Sequence, residues 1–239
     1  MKKKTEYTVK AIQHDIQSLM KNPENIKDYS RFFKNKEKFI TLTSQNIRQL
    51  AKDHYKNIRD LDKEHILDIC DKLLELRDKN ATHIAFDWAF RVKKHYDEED
   101  FARFERWVET YVDDWSSCDD LCTHPLGYIV WKFPEKIHYL YKWTSSKNIW
   151  MRRASAVSLI YSVRRNENTG EAFKIADLLL TDTEDLVQKG YGWLLKETTK
   201  HREEQVFEYV MKKKKQMPRT ALRYAIEKMP PGMKQQAMS

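Results

Sequence analysis

Glycine and proline are scarce, with five and six residues in a chain of 239. Average usage, about 12% for the two together, would supply more than twice as many, so a turn-rich β-sandwich, a collagen-like chain and a flexible linker protein are all disfavoured. Cysteine is limited to three residues. That odd number fits a reducing compartment rather than a disulfide framework. No run approaches the ~18 consecutive apolar residues of a membrane span, and the first residues lack the apolar core of a secretory signal, so a cytoplasmic protein is expected. Motifs are missing too. There is no Gly-rich phosphate loop, no H-E-x-x-H and no G-x-S-x-G, which removes the usual warrant for nucleotide-dependent, zinc-protease and α/β-hydrolase chemistry.

What is present is an aromatic-rich, highly charged chain. Seven Trp, twelve Tyr and ten Phe within 41% hydrophobic residues are more than a disordered chain carries, while 33% charged residues make the surface polar. Lys and Arg number 44 against 36 acids, a net charge of +8. Polyanions are therefore plausible partners, although solubility alone accounts for such a surplus in many proteins.

Apolar residues recur at helical spacing throughout. Candidate helices run over 6–21, 24–34, 44–56, 62–78, 81–95, 98–112, 115–130, 134–144, 147–165, 170–181, 184–198, 202–214 and 218–229, with Pro125 bending or breaking the seventh. No alternating strand pattern competes. So many short helices cannot line one four-helix core, and helical pairs stacked side by side are the economical arrangement. Ile149–Ala156 can be laid over Leu186–Trp193, an offset of 37 residues. That offset fits two-helix units of HEAT length. The expected fold is all-α, a curved superhelical solenoid of HEAT-like antiparallel helix pairs forming one domain over 1–239, with a concave groove. An irregular helical bundle is the alternative.

Two charges sit on apolar stripes. At 100° per residue Trp115, Cys118, Asp119 and Cys122 share one face of a helix, and Ile149, Arg153, Val157 and Ile160 share another. A charge so placed is either paired inside the fold, as Asp119 with Arg153 would be, or faces a groove. Trp193 stands beside Gly190 and Gly192 inside a helical run. Each glycine sacrifices about 1 kcal/mol of helix propensity relative to alanine, a cost tolerated where another backbone or a ligand comes close. Cys118, Cys122 and His124 do not make a zinc pattern, which needs four ligands and different spacing. No metal or other cofactor is expected.

Taken in order, Val112-Asp113-Asp114-Trp115-Ser116-Ser117-Cys118-Asp119, Ser146-Lys147-Asn148-Ile149-Trp150-Met151-Arg152-Arg153-Ala154 and Lys189-Gly190-Tyr191-Gly192-Trp193-Leu194-Leu195-Lys196-Glu197 resemble the DNA alkylation repair family, the AlkD-like HEAT-repeat glycosylases. Ser30-Arg31-Phe32-Phe33-Lys34-Asn35, Arg48-Gln49-Leu50 and Pro218–Lys228 extend the match towards both ends. The resemblance implies a stack of HEAT-like helical pairs that grips duplex DNA and hydrolyses the N-glycosidic bond of cationic N3- or N7-alkylated purines. By position it implies Asp119 as the catalytic carboxylate, Trp115, Trp193 and Phe32 as substrate-binding aromatics, and Arg153 as the contact to the DNA backbone. Phe32 replaces a Tyr that the family can carry. Phe39-Ile40-Thr41-Leu42 lacks a family glycine, and Asp114 stands where the family has an aromatic. The expected partner is duplex DNA bearing alkylated purines, bound by a monomer without a membrane. A DNA-structure-binding protein without catalysis and a protein-binding scaffold are the alternatives.

Overall fold

The computed structural model describes residues 2–32 and 39–239, apart from the side chains of residues 2–4 and 32. It is all-α, as the periodicity predicts, save for one short hairpin-like pair of strands. The chain divides into two compact units, Met1–Tyr96 and Asp97–Ser239.

The first unit holds α1 (Lys2–Met20), α2 (Ser44–Tyr55), α3 (Lys63–Glu75) and α4 (Lys79–Arg91). Side-chain caps set the starts of the last three. Thr43, Asp62 and Asp78 accept hydrogen bonds from the backbone N–H groups of Asn46, His65 and Ala81, donors with no partner inside the helix. Ile12 and Ile16 of α1, Ile66 and Leu73 of α3, and Ile84 and Trp88 of α4 are buried in this unit's core, with Trp88 Nε1 donating to the Ala51 carbonyl of α2. The expected helix over 24–34 is a correction. A 3-10 turn at Pro23–Asn25 leads into β1 (Ile26–Asp28), which pairs antiparallel with β2 (Ile40–Leu42). The Asn25 carbonyl, which a continuing helix would use, instead accepts from Thr43 N–H at 2.8 Å. Leu42 N–H donates to Asn80 Oδ1 at 2.8 Å, tying β2 to α4.

The second unit contains α5 (Asp100–Tyr111), α6 (Trp115–Thr123), α7 (Pro125–Lys132), α8 (Ile137–Trp143), α9 (Ile149–Val157), α10 (Ile160–Val163), α11 (Thr169–Leu178), α12 (Asp185–Lys213), α13 (Arg219–Ala225) and α14 (Pro231–Met238). Pro125 does break the predicted helix 115–130. His124 at the junction has φ −121° and ψ −94°, and Pro125 starts α7, where a missing N–H costs nothing. The runs 184–198 and 202–214 join into α12 across a kink at Arg202 (φ −139°, ψ 43°). α14 lies beyond the last predicted helix. α9 packs against α6, α8 and α12, while α10 packs against α7 and α12, so successive helices lie side by side within this unit. Close approach has a visible cost: a Cβ on Gly192 would sit 2.7 Å from Tyr224 Cβ and 2.8 Å from the Ala221 carbonyl. Only glycine lets α12 and α13 meet there. No helix among the described residues is long and apolar enough to cross a membrane.

Candidate functional site

The site is assembled by three helices of the second unit. Asp114 Oδ1 accepts from the N–H groups of Ser116 and Ser117 at 2.8 and 3.0 Å and from the Ser116 hydroxyl at 2.8 Å, capping α6. An aspartate at this position therefore starts the helix at Trp115 and puts Asp119 one turn later on the same face. Asn148 does the same for α9, its Oδ1 accepting from Trp150 N–H at 2.9 Å, which places Arg153 one turn into that helix.

The two charges on apolar stripes are partners. Arg153 Nε donates to Asp119 Oδ1 and Nη2 to Oδ2, both at 2.9 Å, a fork-to-carboxylate pair. Nη1 donates to the Leu186 backbone carbonyl of α12. The guanidinium thus ties α6, α9 and α12 together. Room for it comes from Gly190, where a Cβ would stand 3.3 Å from Arg153 Cγ and 3.5 Å from Nη1. The segments that overlay at an offset of 37 residues in sequence are neighbours in space, with Arg153 lying against Gly190, its counterpart in that overlay.

Exposure separates the partners. The Arg153 side chain is 6% exposed and that of Asp119 is 20% exposed, so the guanidinium is buried while part of the aspartate side chain reaches solvent. Burial pushes Asp119 up to about 6, with the charge and hydrogen bonds of Arg153 pulling in the other direction. Beneath the pair, Cys118 and Cys122 are fully buried with their sulfurs 4.0 Å apart, and burial raises the Cys118 thiol well above its ordinary value. His124 directs Nδ1 to the Asp120 carbonyl at 2.9 Å rather than joining the cysteines.

Trp193 lies one turn beyond Gly190 on α12. Its indole Nε1 donates to Glu197 Oε1 at 3.1 Å, and the Arg164 guanidinium lies over its ring at 5.8 Å. Glu197, 9% exposed, also accepts from Arg164 Nε at 3.0 Å and Lys200 Nζ at 2.6 Å. Burial works to raise the Glu197 carboxyl, but these three hydrogen bonds prevail and hold it down at about 2. Asp119 and Arg153 therefore meet directly, Trp115 precedes Asp119 on the same helical face, and the recorded partners of Trp193 are Glu197 and Arg164. Phe32 ends a 3-10 turn in the first unit, and its side chain lies outside the described residues. Sequence reasoning missed the Glu197–Arg164 pair. Its trace was legible, since Glu197 falls seven residues after Gly190 and so puts an acid on the same buried stripe.

Helices lying side by side and a partly exposed aspartate fixed by a buried arginine define an all-α protein with a preorganised carboxylate in its second unit. The family model for DNA alkylation repair enzymes matches residues 12–229, and the chain belongs to that family. A solved structure reported as a predicted DNA alkylation repair enzyme from Enterococcus faecalis is similar in fold, with TM-score 0.67 and 18% identity over 79% of this chain and 87% of that one. No curated protein matches the chain.

Proposed function

We propose that this DNA repair family member is a monofunctional glycosylase that hydrolyses the N-glycosidic bond of cationic N3- or N7-alkylated purines in duplex DNA, as a monomer in a compartment with access to DNA. The observation that carries the reading is the Asp119 carboxylate: partly exposed, bidentately fixed, and ionised above about pH 6 despite its burial.

Alkylation at a ring nitrogen leaves the purine cationic, so the base departs neutral without a general acid. What remains is positive charge growing on the deoxyribose. A fixed carboxylate stabilises that charge without reorganising, and it can orient water against the anomeric carbon as the second carboxylate of a glycoside hydrolase does. Two carboxylate oxygens offer about four lone-pair sites, so the bonds to Arg153 leave acceptor sites for water. Arg153 fixes the carboxylate; three of its five N–H donors are used inside the fold and its side chain is 6% exposed, so little of it is open to a DNA phosphate. Trp115 and Trp193 are assigned to the lesion side on their sequence positions, where an aromatic face free of other cations is worth roughly 0.5–2 kcal/mol against a cation. Phe32 is assigned to the lesion side on its sequence position.

The test is single-turnover release of base from methylated duplex DNA. Removing a preorganised charge-stabilising group of this kind costs about 100-fold or more in rate. Asp119→Asn should therefore abolish measurable release, and retention of full activity by that variant defeats the assignment.

A further inference from the structure

Arg153 is buried and spends three of its five N–H donors inside the fold, whereas the second unit holds another arginine placed very differently. Arg164, at the end of α10, is 40% exposed. It spends only Nε on Glu197, at 3.0 Å, and no hydrogen bond from its two terminal nitrogens is recorded among the described residues. Its guanidinium is held at one edge by a buried carboxylate and lies over the Trp193 ring at 5.8 Å. Two interactions thus fix its plane while leaving the charged end towards solvent. A guanidinium ordered in advance loses less freedom on meeting an oxyanion than a free surface lysine does.

The surroundings carry the sign needed. Glu197 is the only carboxylate bound to Arg164 among the described residues, and it is shared with Lys200. Two cations face one anion, an excess of one positive charge. His124, whose partner is Asp120, is also close enough to feel Arg164 electrostatically. Protonated, it offsets the charge of Asp120 and leaves the excess at Arg164 and Lys200 uncancelled.

We infer that Arg164 is the guanidinium that contacts a DNA phosphate at this site, the part that sequence position alone gives to Arg153. Glu197 and Trp193 hold it for that contact. The inference rests on the proposed DNA-acting function, and it needs only DNA binding, not base excision. The presence of Arg164 over the Trp193 ring also means that a cationic base would meet like charge on that ring face, so the ring serves there as the platform for the arginine.

Arg164→Gln, measured against undamaged duplex DNA over a range of salt concentrations, tests it. Each phosphate contact contributes about 0.9 to the slope of log affinity against log salt. The variant should bind about tenfold more weakly at moderate salt and lose about that much slope. Arg164→Lys keeps the charge without the planar fork and should keep the slope while losing part of the affinity. Lys174→Gln, which removes an equal charge from α11 where Lys174 pairs with Glu171, should leave the slope unchanged. Unaltered affinity and slope in Arg164→Gln overturn the inference, as does an equal loss of slope in Lys174→Gln. Base release by the wild-type protein separates the two readings. Excision with normal binding by Arg164→Gln leaves the glycosylase standing and this inference fallen; weakened binding by the variant without any excision by wild type does the reverse. Failure of the wild type to bind duplex DNA at all overturns both.

Discussion

Asp119→Asn should remove a pH dependence from the stability of the second unit. The wild-type carboxyl is pushed by burial from 3.8 to about 6, roughly two pKa units. Between those values the folded protein keeps a proton that the unfolded chain has released. The stabilising effect of this proton is fully present below about pH 3.8 and is lost as pH rises through about 6. At 1.36 kcal/mol per unit the loss is about 3 kcal/mol. It is the part of the desolvation cost that Arg153 fails to offset. Glu197 works in the opposite sense, its stabilising effect present above about 4.5 and lost as pH falls towards about 2. Because Glu197 is common to both proteins, it cancels in their difference. Six of the seven tryptophans lie in Asp97–Ser239, so denaturant unfolding followed by indole fluorescence reports mainly on the relevant unit. Across pH 3 to 8, the stability of wild type relative to Asp119→Asn should fall by about 3 kcal/mol and then level off. A difference that stays flat, or one that grows with pH, refutes the account of a carboxylate ionised against its surroundings.

The packing predicts opposite outcomes for two glycines. Gly192→Ala puts a methyl group 2.7 Å from Tyr224 Cβ and 2.8 Å from a backbone oxygen. Overpacking of about 1–3 kcal/mol should exceed the ~1 kcal/mol gain in helix propensity and lower the thermal midpoint. Gly170→Ala meets nothing within 4 Å and should raise the midpoint, by about 0.4–1 kcal/mol of stability. Asp114→Ala removes the cap of α6 and should cost about 1 kcal/mol in denaturant unfolding; no loss would show that the cap does not set the start of that helix.

Helical periodicity made most of this architecture readable before any coordinates. Pro125 placed the break between α6 and α7, and the apolar stripes of α6 and α9 exposed Asp119 and Arg153 as misplaced charges. Their pairing was one of two readings that the sequence left open, because a stripe position says that a charge is buried but not what it meets. The strands β1 and β2 escaped notice since their pairing depends on long-range acceptors, Asn25 and Asn80, whose neighbours along the chain give no alternating pattern. Glu197 was overlooked for a related reason. Its meaning comes from Arg164, 33 residues away, and no local spacing announces that contact. The Asp114 departure from the family pattern, by contrast, has a local explanation as a helix cap.

The most direct measurement is the single-turnover rate of base release from duplex DNA carrying N3-methyladenine or N7-methylguanine, followed from pH 5 to 8 for wild type and Asp119→Asn. The account predicts a wild-type rate that rises as Asp119 ionises near pH 6 and a variant rate indistinguishable from the uncatalysed reaction. Intact lesions in the presence of wild-type protein that binds the duplex normally, or a variant as active as wild type, would contradict it.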